Sequence, residues 1–415
     1  MNSIKITGGK RLCGTLPISG SKNAALPVLA ATAAIPAPCV IRRCPRIRDV
    51  DAALEILRCL GCCVIRDQDT VTVDASCRKA AAVPQTLSLQ MRSSVLFLGA
   101  LTGAGCDAAV YMPGGCVLGR RPIDLHISGL QKIGAAVTIE DSRISCCAKK
   151  LTGGAVFLPY PSVGATENLM LAALGAPSPV TIIGAAKEPE IVDLAAFLSA
   201  CGAKVSGAGT SAIRIAGGSL HGADFTVMPD RMEAVTYLSA AASAGGDLTV
   251  TGVVPQHFEP ILQTFRAAGC RVTVAKDSVR LQRERLHAVP PILTGPYPAF
   301  PTDAQPTVMA SLLKADGVSV FAETVFENRF RHVPALQSLG AKIEIAGAVA
   351  AVCGVSRLHG AEMSATDLRG GAAMLVAALG AEGTSTVNEI HHIERGYEDL
   401  PQKLQAVGAQ LEEAE

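Results

Sequence analysis

The sequence predicts an α/β fold of two lobes, each built from three repeated units around buried helices. Three observations carry this. A helix ending, in which a small or apolar residue precedes glycine and a strand begins just after, recurs six times, at Leu60-Gly61-Cys62, Ile133-Gly134-Ala135, Cys201-Gly202-Ala203, Ala268-Gly269-Cys270, Leu339-Gly340-Ala341 and Val407-Gly408-Ala409. These glycines fall about 70 residues apart, too regular for chance and longer than common solenoid repeats. Upstream of each ending lies a segment apolar nearly all round, at 23–34, 91–103, 166–175, 231–244, 303–315 and 368–380. A helix of that kind belongs inside a domain. Short β-branched runs, such as those starting at Val180, Leu248 and Val318, then alternate strands with the helices.

Each unit therefore reads as strand, buried helix, strand, surface helix, hairpin. Residues 1–16 read as a short basic strand with glycines and lack the apolar core of a secretion signal. The stretch 24–41 is long enough to cross a bilayer, but Pro27, Pro36 and Pro38 and its many alanines make it a buried helix, a loop and a strand. Surface helices show at Val50, Leu54 and Leu57, and at Ile191, Leu194, Ala195 and Leu198. Each repeat glycine suits the left-handed residue that closes a helix.

The hairpin tails share an element, Leu220-His221-Gly222, Leu358-His359-Gly360 and Leu12-Cys13-Gly14. The sixth unit lacks this tail while the N-terminus carries a spare copy, so the first strand is predicted to complete the last unit. The expected lobes are residues 20–228, and residues 1–19 plus 229–415, with the chain crossing twice.

Composition narrows the function. Lys plus Arg number 37 against 36 Asp plus Glu, so no global field gathers nucleic acid or an anionic membrane, and neither is an expected partner. Any anion must be caught by a local cluster. Fourteen Cys without a secretion signal indicate free thiols in a reducing compartment, the cytoplasm. Cys59 and Cys62 have CxxC spacing, but no second pair or nearby His completes a zinc site. His391 and His392, read on a strand, would send their rings to opposite faces and chelate poorly. No metal or cofactor is expected.

The starts of the buried helices carry polar residues that core helices do not need: Lys22 and Asn23, Arg92, Ser162 to Gly164, Asp230 and Arg231, Asp303, and Asp367 with Arg369. They are either caps and ion pairs or, gathered together, an anion site made from helix N-termini. Recurrence at one place in the repeats favours a substrate bearing phosphate or carboxylate. The run Pro113-Gly114-Gly115-Cys116, with Gly119-Arg120-Arg121-Pro122, sets a thiol beside two guanidinium groups, which raises its thiolate fraction unless the run is an ordinary glycine turn.

Those residues, with Ser19-Gly20-Ser21-Lys22-Asn23, Arg121-Pro122-Ile123-Asp124-Leu125-His126, Ser162-Val163-Gly164-Ala165-Thr166, Glu188-Pro189-Glu190, Phe300-Pro301-Thr302-Asp303, Glu323-Thr324-Val325, Thr366-Asp367-Leu368-Arg369 and Arg395-Gly396-Tyr397-Glu398, closely resemble the UDP-N-acetylglucosamine 1-carboxyvinyltransferases of the enolpyruvyl transferase family. The resemblance covers essentially the whole chain, and that family's inside-out barrel of two lobes with three units each agrees with the repeat count. It implies enolpyruvyl transfer from phosphoenolpyruvate to the 3-hydroxyl of UDP-N-acetylglucosamine by addition and elimination of phosphate, the first committed step of peptidoglycan synthesis. By this resemblance Lys22, Asn23, Arg121, Arg329, Arg369 and Arg395 would hold phosphoenolpyruvate. Asn23, Arg92, Arg121, Pro122, Ile123, Asp124, Leu125, Ser162, Val163, Gly164, Asp303 and Val325 would bind the UDP-sugar.

Asp303 would also take the hydroxyl proton, with Lys22 and Arg395 among the catalytic groups. Cys116 would protonate the methylene carbon, can form a covalent adduct, and implies sensitivity to fosfomycin. Tyr160 and Pro161 stand where many relatives have a Lys and an apolar residue, so one diphosphate contact is lost or replaced. The rivals are transfer to shikimate 3-phosphate on the same architecture, and a non-catalytic repeat scaffold that leaves the charged set without a purpose. A monomer is the default state.

Overall fold

A computed structural model describes residues 3–114, 123–148 and 151–414. The described residues divide into two compact units. One joins the N-terminal stretch through Ser19 to everything from Pro229 onward, and the other runs from Gly20 to Met228. Each has three sheets and its own apolar core.

The pattern is plain in one sheet of the Gly20 unit, ordered Lys204–Ser206, Ala212–Ala216, Val180–Ile183, Gly154–Phe157. Gly154–Phe157 runs parallel to Val180–Ile183, with Phe157 opposite Ile183, and the other ladders are antiparallel. The parallel pair is joined through the buried helix Val163–Ala172, and the surface helix Pro189–Ala200 then leads into the hairpin. Four further sheets repeat this strand order, although beside Ala108–Tyr111 the edge strand shrinks to one parallel bridge, Ala82 to Ala109. Two of these sheets exchange edge strands, so that Asp224–Thr226 lies parallel to Cys39–Arg42 and Leu12–Pro17 parallel to Gly246–Thr251 without a buried helix joining either pair. In the sixth, Thr384–Asn388 lies parallel to Glu362–Ser364 and antiparallel to Ser3–Thr7, which also pairs with Gln410–Ala414. The N-terminal strand is thus the return strand of the last hairpin.

The six repeat glycines close their helices in the left-handed region, at φ 88° for Gly61, 98° for Gly134, 93° for Gly202, 88° for Gly269, 92° for Gly340 and 101° for Gly408. A second constant accompanies them. The carbonyl just before each glycine accepts from a tail amide: Lys79 to Leu60, Thr152 to Ile133, His221 to Cys201, His287 to Ala268, His359 to Leu339, and Cys13 to Val407, at 2.8 to 3.0 Å. One helix-end carbonyl per unit is thereby satisfied by the tail. The last unit obtains its donor from the N-terminal segment.

The buried helices are Lys22–Thr32, Leu96–Gly103 and Val163–Ala172 in one unit, and Arg231–Ala244, Gln305–Ser311 and Leu368–Gly380 in the other. Small residues let them approach closely, since a Cβ on Gly99 would stand 2.1 Å from Asn168 Oδ1. Three expectations need correction. The helix expected over 303–315 is only Gln305–Ser311, because Pro306 occupies its first turn and Asp303 belongs to the turn before it. The segment from Arg92 begins with a 3-10 turn, Arg92–Val95. His391 and His392 lie on the 3-10 turn Ile390–His392, opened by a left-handed Glu389, and their rings stack with centroids 4.1 Å apart instead of opposing. Among the described residues no helix is long and apolar enough to cross a membrane.

Candidate active site

In the unit that includes Pro229 onward, aspartates mark the starts of all three buried helices. Asp230 accepts from the Met232 and Glu233 amides at 2.7 and 3.0 Å, and Asp367 from the Arg369 and Gly370 amides at 3.1 and 3.0 Å. These acids lie where the helix dipole is positive. Asp303 is held otherwise, by two guanidinium groups. Arg329 Nη2 donates to Asp303 Oδ1 at 3.0 Å, while Arg369 Nε and Nη2 stand 3.4 and 3.3 Å from Oδ2.

The arginines are themselves fixed. Arg329, on the 3-10 turn Arg329–His332, is 1% exposed and also donates Nε and Nη2 to the Thr302 carbonyl at 3.0 and 2.8 Å. Arg369 Nη1 donates to Tyr397 Oη at 3.0 Å. The Thr236 hydroxyl donates to the Met232 carbonyl, so the 2.8 Å contact of Tyr397 with Thr236 has the tyrosine as donor. Burial works against the Arg369 charge, yet Tyr397, Asp303 and Asp230 outweigh it and hold its pKa above the usual arginine range. Asp303 keeps a third of its side chain exposed between two immobilised cations. The result is an oriented carboxylate that remains open on one side.

Glu323 fastens two neighbouring loops. Its Oε2 accepts from the Thr302 hydroxyl at 2.9 Å, and its Oε1 from the amides of Val325 and Phe326 at 2.7 and 3.1 Å. Val325 thus stands beside the Asp303 turn. Arg395 is half-buried after the stacked histidines. His392 is pushed below the ordinary histidine range by burial, with His391 and Arg395 adding to it.

In the Gly20 unit two of the three buried helices are capped by serines, and Leu96–Gly103, entered through the 3-10 turn, has no side-chain cap. Ser21 Oγ accepts from the Ala24 amide and Ser162 Oγ from the Ala165 amide, both at 3.3 Å, and neither helix has an acid in its first turn. A serine cap satisfies an amide without cancelling the helix charge. Lys22 opens its helix and pairs with Asp49 Oδ2 at 2.6 Å, and Asn23 beside it is exposed. Ile123 is buried at the start of the helix Asp124–Lys132, where Asp124 is exposed and Leu125 half-buried.

His126 ties these pieces together. Its ring lies against the start of the Val163 helix, so close that a Cβ on Gly164 would stand 3.2 Å from Nε2. Burial, helped by the Arg92 charge, lowers its pKa to about 3, so the ring is neutral in ordinary buffers. Arg92, Gly164 and the Asp124 helix are therefore neighbours.

The structure brings Asp303, Arg329 and Arg369 into direct contact. It gathers Arg92 with Gly164 around His126, and gives Lys22 a carboxylate partner. Cys116, Arg121 and Pro122 lie outside the described residues. The sequence reading assigned no role to Asp49, Glu323, Tyr397, His126 and Asn168. A position in a motif was the only available signal for most of these, because their partners are distant in sequence. Asp49, in the first turn of a surface helix, reads as a dipole-stabilising acid until the structure pairs it with Lys22.

The family model for EPSP synthase (3-phosphoshikimate 1-carboxyvinyltransferase) matches residues 6–404. UDP-N-acetylglucosamine 1-carboxyvinyltransferase 2 of Caldanaerobacter subterraneus is 44% identical over 413 residues, covering 99% of each chain. The UDP-N-acetylglucosamine 1-carboxyvinyltransferase of Finegoldia magna is 43% identical, covering 100% of this chain and 99% of its own. Among solved structures, the enolpyruvyl transferase NikO of Streptomyces tendae superposes with a TM-score of 0.89 at 28% identity, over 99% of this chain and 98% of NikO. An EPSP synthase of Acinetobacter baumannii superposes at 0.75 and 17% identity over all of both chains, a likeness of fold alone.

Proposed function

We infer that this chain, which belongs to the UDP-N-acetylglucosamine 1-carboxyvinyltransferase family, transfers the enolpyruvyl group of phosphoenolpyruvate to the 3-hydroxyl of UDP-N-acetylglucosamine. Phosphate is released, and the reaction is the first committed step of peptidoglycan synthesis. The observation that carries this reading is Asp303 held between Arg329 and Arg369, a base and two cations in one contact set.

The chemistry needs a proton acceptor, a proton donor and fixed positive charge. Asp303 takes the proton of the sugar 3-hydroxyl as that oxygen attacks C2 of phosphoenolpyruvate. Cys116 delivers a proton to C3, which gives a tetrahedral intermediate. The C2–O bond to phosphate then breaks, and loss of a C3 proton restores the double bond. Lys22, Arg121, Arg369 and Arg395 hold the carboxylate and phosphate, with Arg329 supporting them through Asp303 and Asn23 adding a neutral donor. Arg92 and the uncancelled start of the Val163 helix suit the diphosphate, with Ser162, Val163 and Gly164 offering backbone amides. Pro122, Ile123, Asp124, Leu125 and Val325 complete the nucleotide-sugar contacts.

The residues assigned to the sugar nucleotide fall mostly in lobe 20–228, and the base in lobe 1–19 plus 229–415. The enzyme works in the cytoplasm as a monomer. Phosphate release from phosphoenolpyruvate, measured in parallel with UDP-N-acetylglucosamine and with shikimate 3-phosphate, tests the reading. Release with the UDP-sugar alone supports it, release with shikimate 3-phosphate alone moves the chain to the rival transfer, and silence with both favours a non-catalytic scaffold. Fosfomycin adds an independent arm, since alkylation at Cys116 is expected to abolish release.

A further inference from the structure

We propose that Asn168 is a positioning residue that fixes the hydrogen of His126 on Nε2, so that this ring donates a hydrogen bond to the diphosphate of the UDP-sugar. The inference rests on the functional reading above and adds to it a specificity element buried behind the site.

The argument starts from the amide. Asn168 Oδ1 accepts from the Gly99 amide at 2.7 Å, which leaves the Nδ2 hydrogens for the other contact, His126 Nδ1 at 3.0 Å. A donor facing Nδ1 requires a bare lone pair there, so the hydrogen of a neutral ring is on Nε2. Asn168 is fully buried and His126 is 6% exposed, so neither can reorient without breaking the packing of the Leu96 and Val163 helices. Nε2 faces Gly164, at the start of the Val163 helix, where Ser162 caps without adding charge.

A histidine there could have charged instead. Arg92, on the 3-10 turn beside it, opposes a second positive charge, and the buried carboxyl of the Val163 helix, Glu167, is set among Glu190 and Glu188. On its own helix the charged residues are Asp124 and Lys132. The ring is thus a neutral donor of constant polarity. The diphosphate of a nucleotide sugar is esterified at both ends, and its charge is likewise constant across ordinary pH. Affinity should therefore be flat with pH.

The test exchanges one atom. Asn168→Asp keeps an acceptor for the Gly99 amide, but its other oxygen now accepts from Nδ1–H, which turns a bare Nε2 lone pair toward the diphosphate. Binding of UDP-N-acetylglucosamine is measured by calorimetry from about pH 5.5 to about pH 8.5, where a histidine beside a carboxylate titrates. Thermal melting checks the fold. Wild type is expected to vary little. The variant is expected to bind roughly 10- to 100-fold more weakly at the alkaline end and to recover as the ring takes a proton and Nε2 regains its hydrogen. A merely structural asparagine would not create pH dependence.

Nitrogen-15 spectra of wild-type His126 without ligand give a second readout that needs no variant, with a protonated Nε2 and a bare Nδ1 expected. A protonated Nδ1 overturns the proposal, as does an Asn168→Asp protein whose affinity stays flat. In that case wild-type binding of the nucleotide sugar leaves the functional reading standing. A wild type with no affinity for the nucleotide sugar overturns both.

Discussion

The two units share a scaffold and differ in how they begin their buried helices. In the Gly20 unit, Ser21 and Ser162 cap with neutral hydroxyls, and the positive helix ends stay available. In the other unit, Asp230 and Asp367 cap with carboxylates, which cancel that charge, and buried Arg329 and Arg369 restore it. The first arrangement suits static capture of an anion. The second interleaves acid and cation, and so can hold a proton acceptor within a positive field. On the proposed reading, one repeated architecture would supply a binding half and a reacting half through the choice of cap.

The largest expected effect comes from breaking the proposed base, Asp303. Asp303→Asn should lower phosphate release by about 10²- to 10⁴-fold, the usual worth of a general base, while the protein still melts cooperatively. If release fell less than tenfold, Asp303 would be a strut for Arg329 and Arg369 and not the base.

Carboxylates in the Gly20 unit behave differently again. Burial, opposed by the Met228 amide and reinforced by Glu190, raises Asp193 to about 7. This folded-state pKa lies above the unfolded value, so the native state is favoured while the group is protonated and loses that advantage as pH rises from about 4 to about 7. Asp193→Asn keeps an acceptor for the Met228 amide. It should leave stability near pH 4 unchanged and raise it by about 2–4 kcal/mol at pH 8, measured by urea unfolding. Equal gains at both pH values would show that repacking, not charge, is responsible.

Exchanging the caps tests the comparison itself. Asp367→Ser loses a charged acceptor of two amides and should cost about 1 kcal/mol of stability. Ser21→Asp should instead raise stability by about 0.3–1 kcal/mol, because an acid at a helix start is favourable, yet weaken phosphoenolpyruvate binding several-fold by neutralising the end that carries Lys22. A Ser21→Asp protein with unchanged affinity would mean that the helix end does not bear on the substrate.

A last prediction concerns what the units share. Alanine at any of the six closing glycines forces a left-handed backbone and should cost about 1–2 kcal/mol. The cost should be greater at Gly202 and Gly269, where the new Cβ would stand 2.6 Å from a backbone carbonyl oxygen, than at Gly408, where that distance is 3.3 Å.

Those glycines also explain how much was legible in advance. A left-handed helix ending admits few residues, so six glycines revealed six units, and the limits of the buried helices followed to within a few residues. The tail motif was harder to see. Leu286-His287 makes the same hydrogen bond as its counterparts but is followed by Ala288, so a search requiring glycine there passes over it. The 3-10 turn holding His391 and His392 was hidden because its start depends on a left-handed Glu389, which composition does not signal.

Within the site, charged residues at helix starts were visible as exceptions to an apolar pattern. Their partners were not, since Asp49 for Lys22, Tyr397 for Arg369 and Asn168 for His126 are chosen by packing across the unit. Periodicity says which face a residue occupies, not which distant residue meets it there.

The return strand supplied by the N-terminus bears on biosynthesis. Ser3–Thr7 leaves the ribosome long before the strands it joins, Thr384–Asn388 and Gln410–Ala414. The Gly20 unit contains all of its own strands and can complete its sheets while translation continues. The other unit must wait, with a short strand bearing Ile4 and Ile6 unpaired until its partners emerge, so nascent chains should be vulnerable to mispairing at that edge and should depend on whatever shields it.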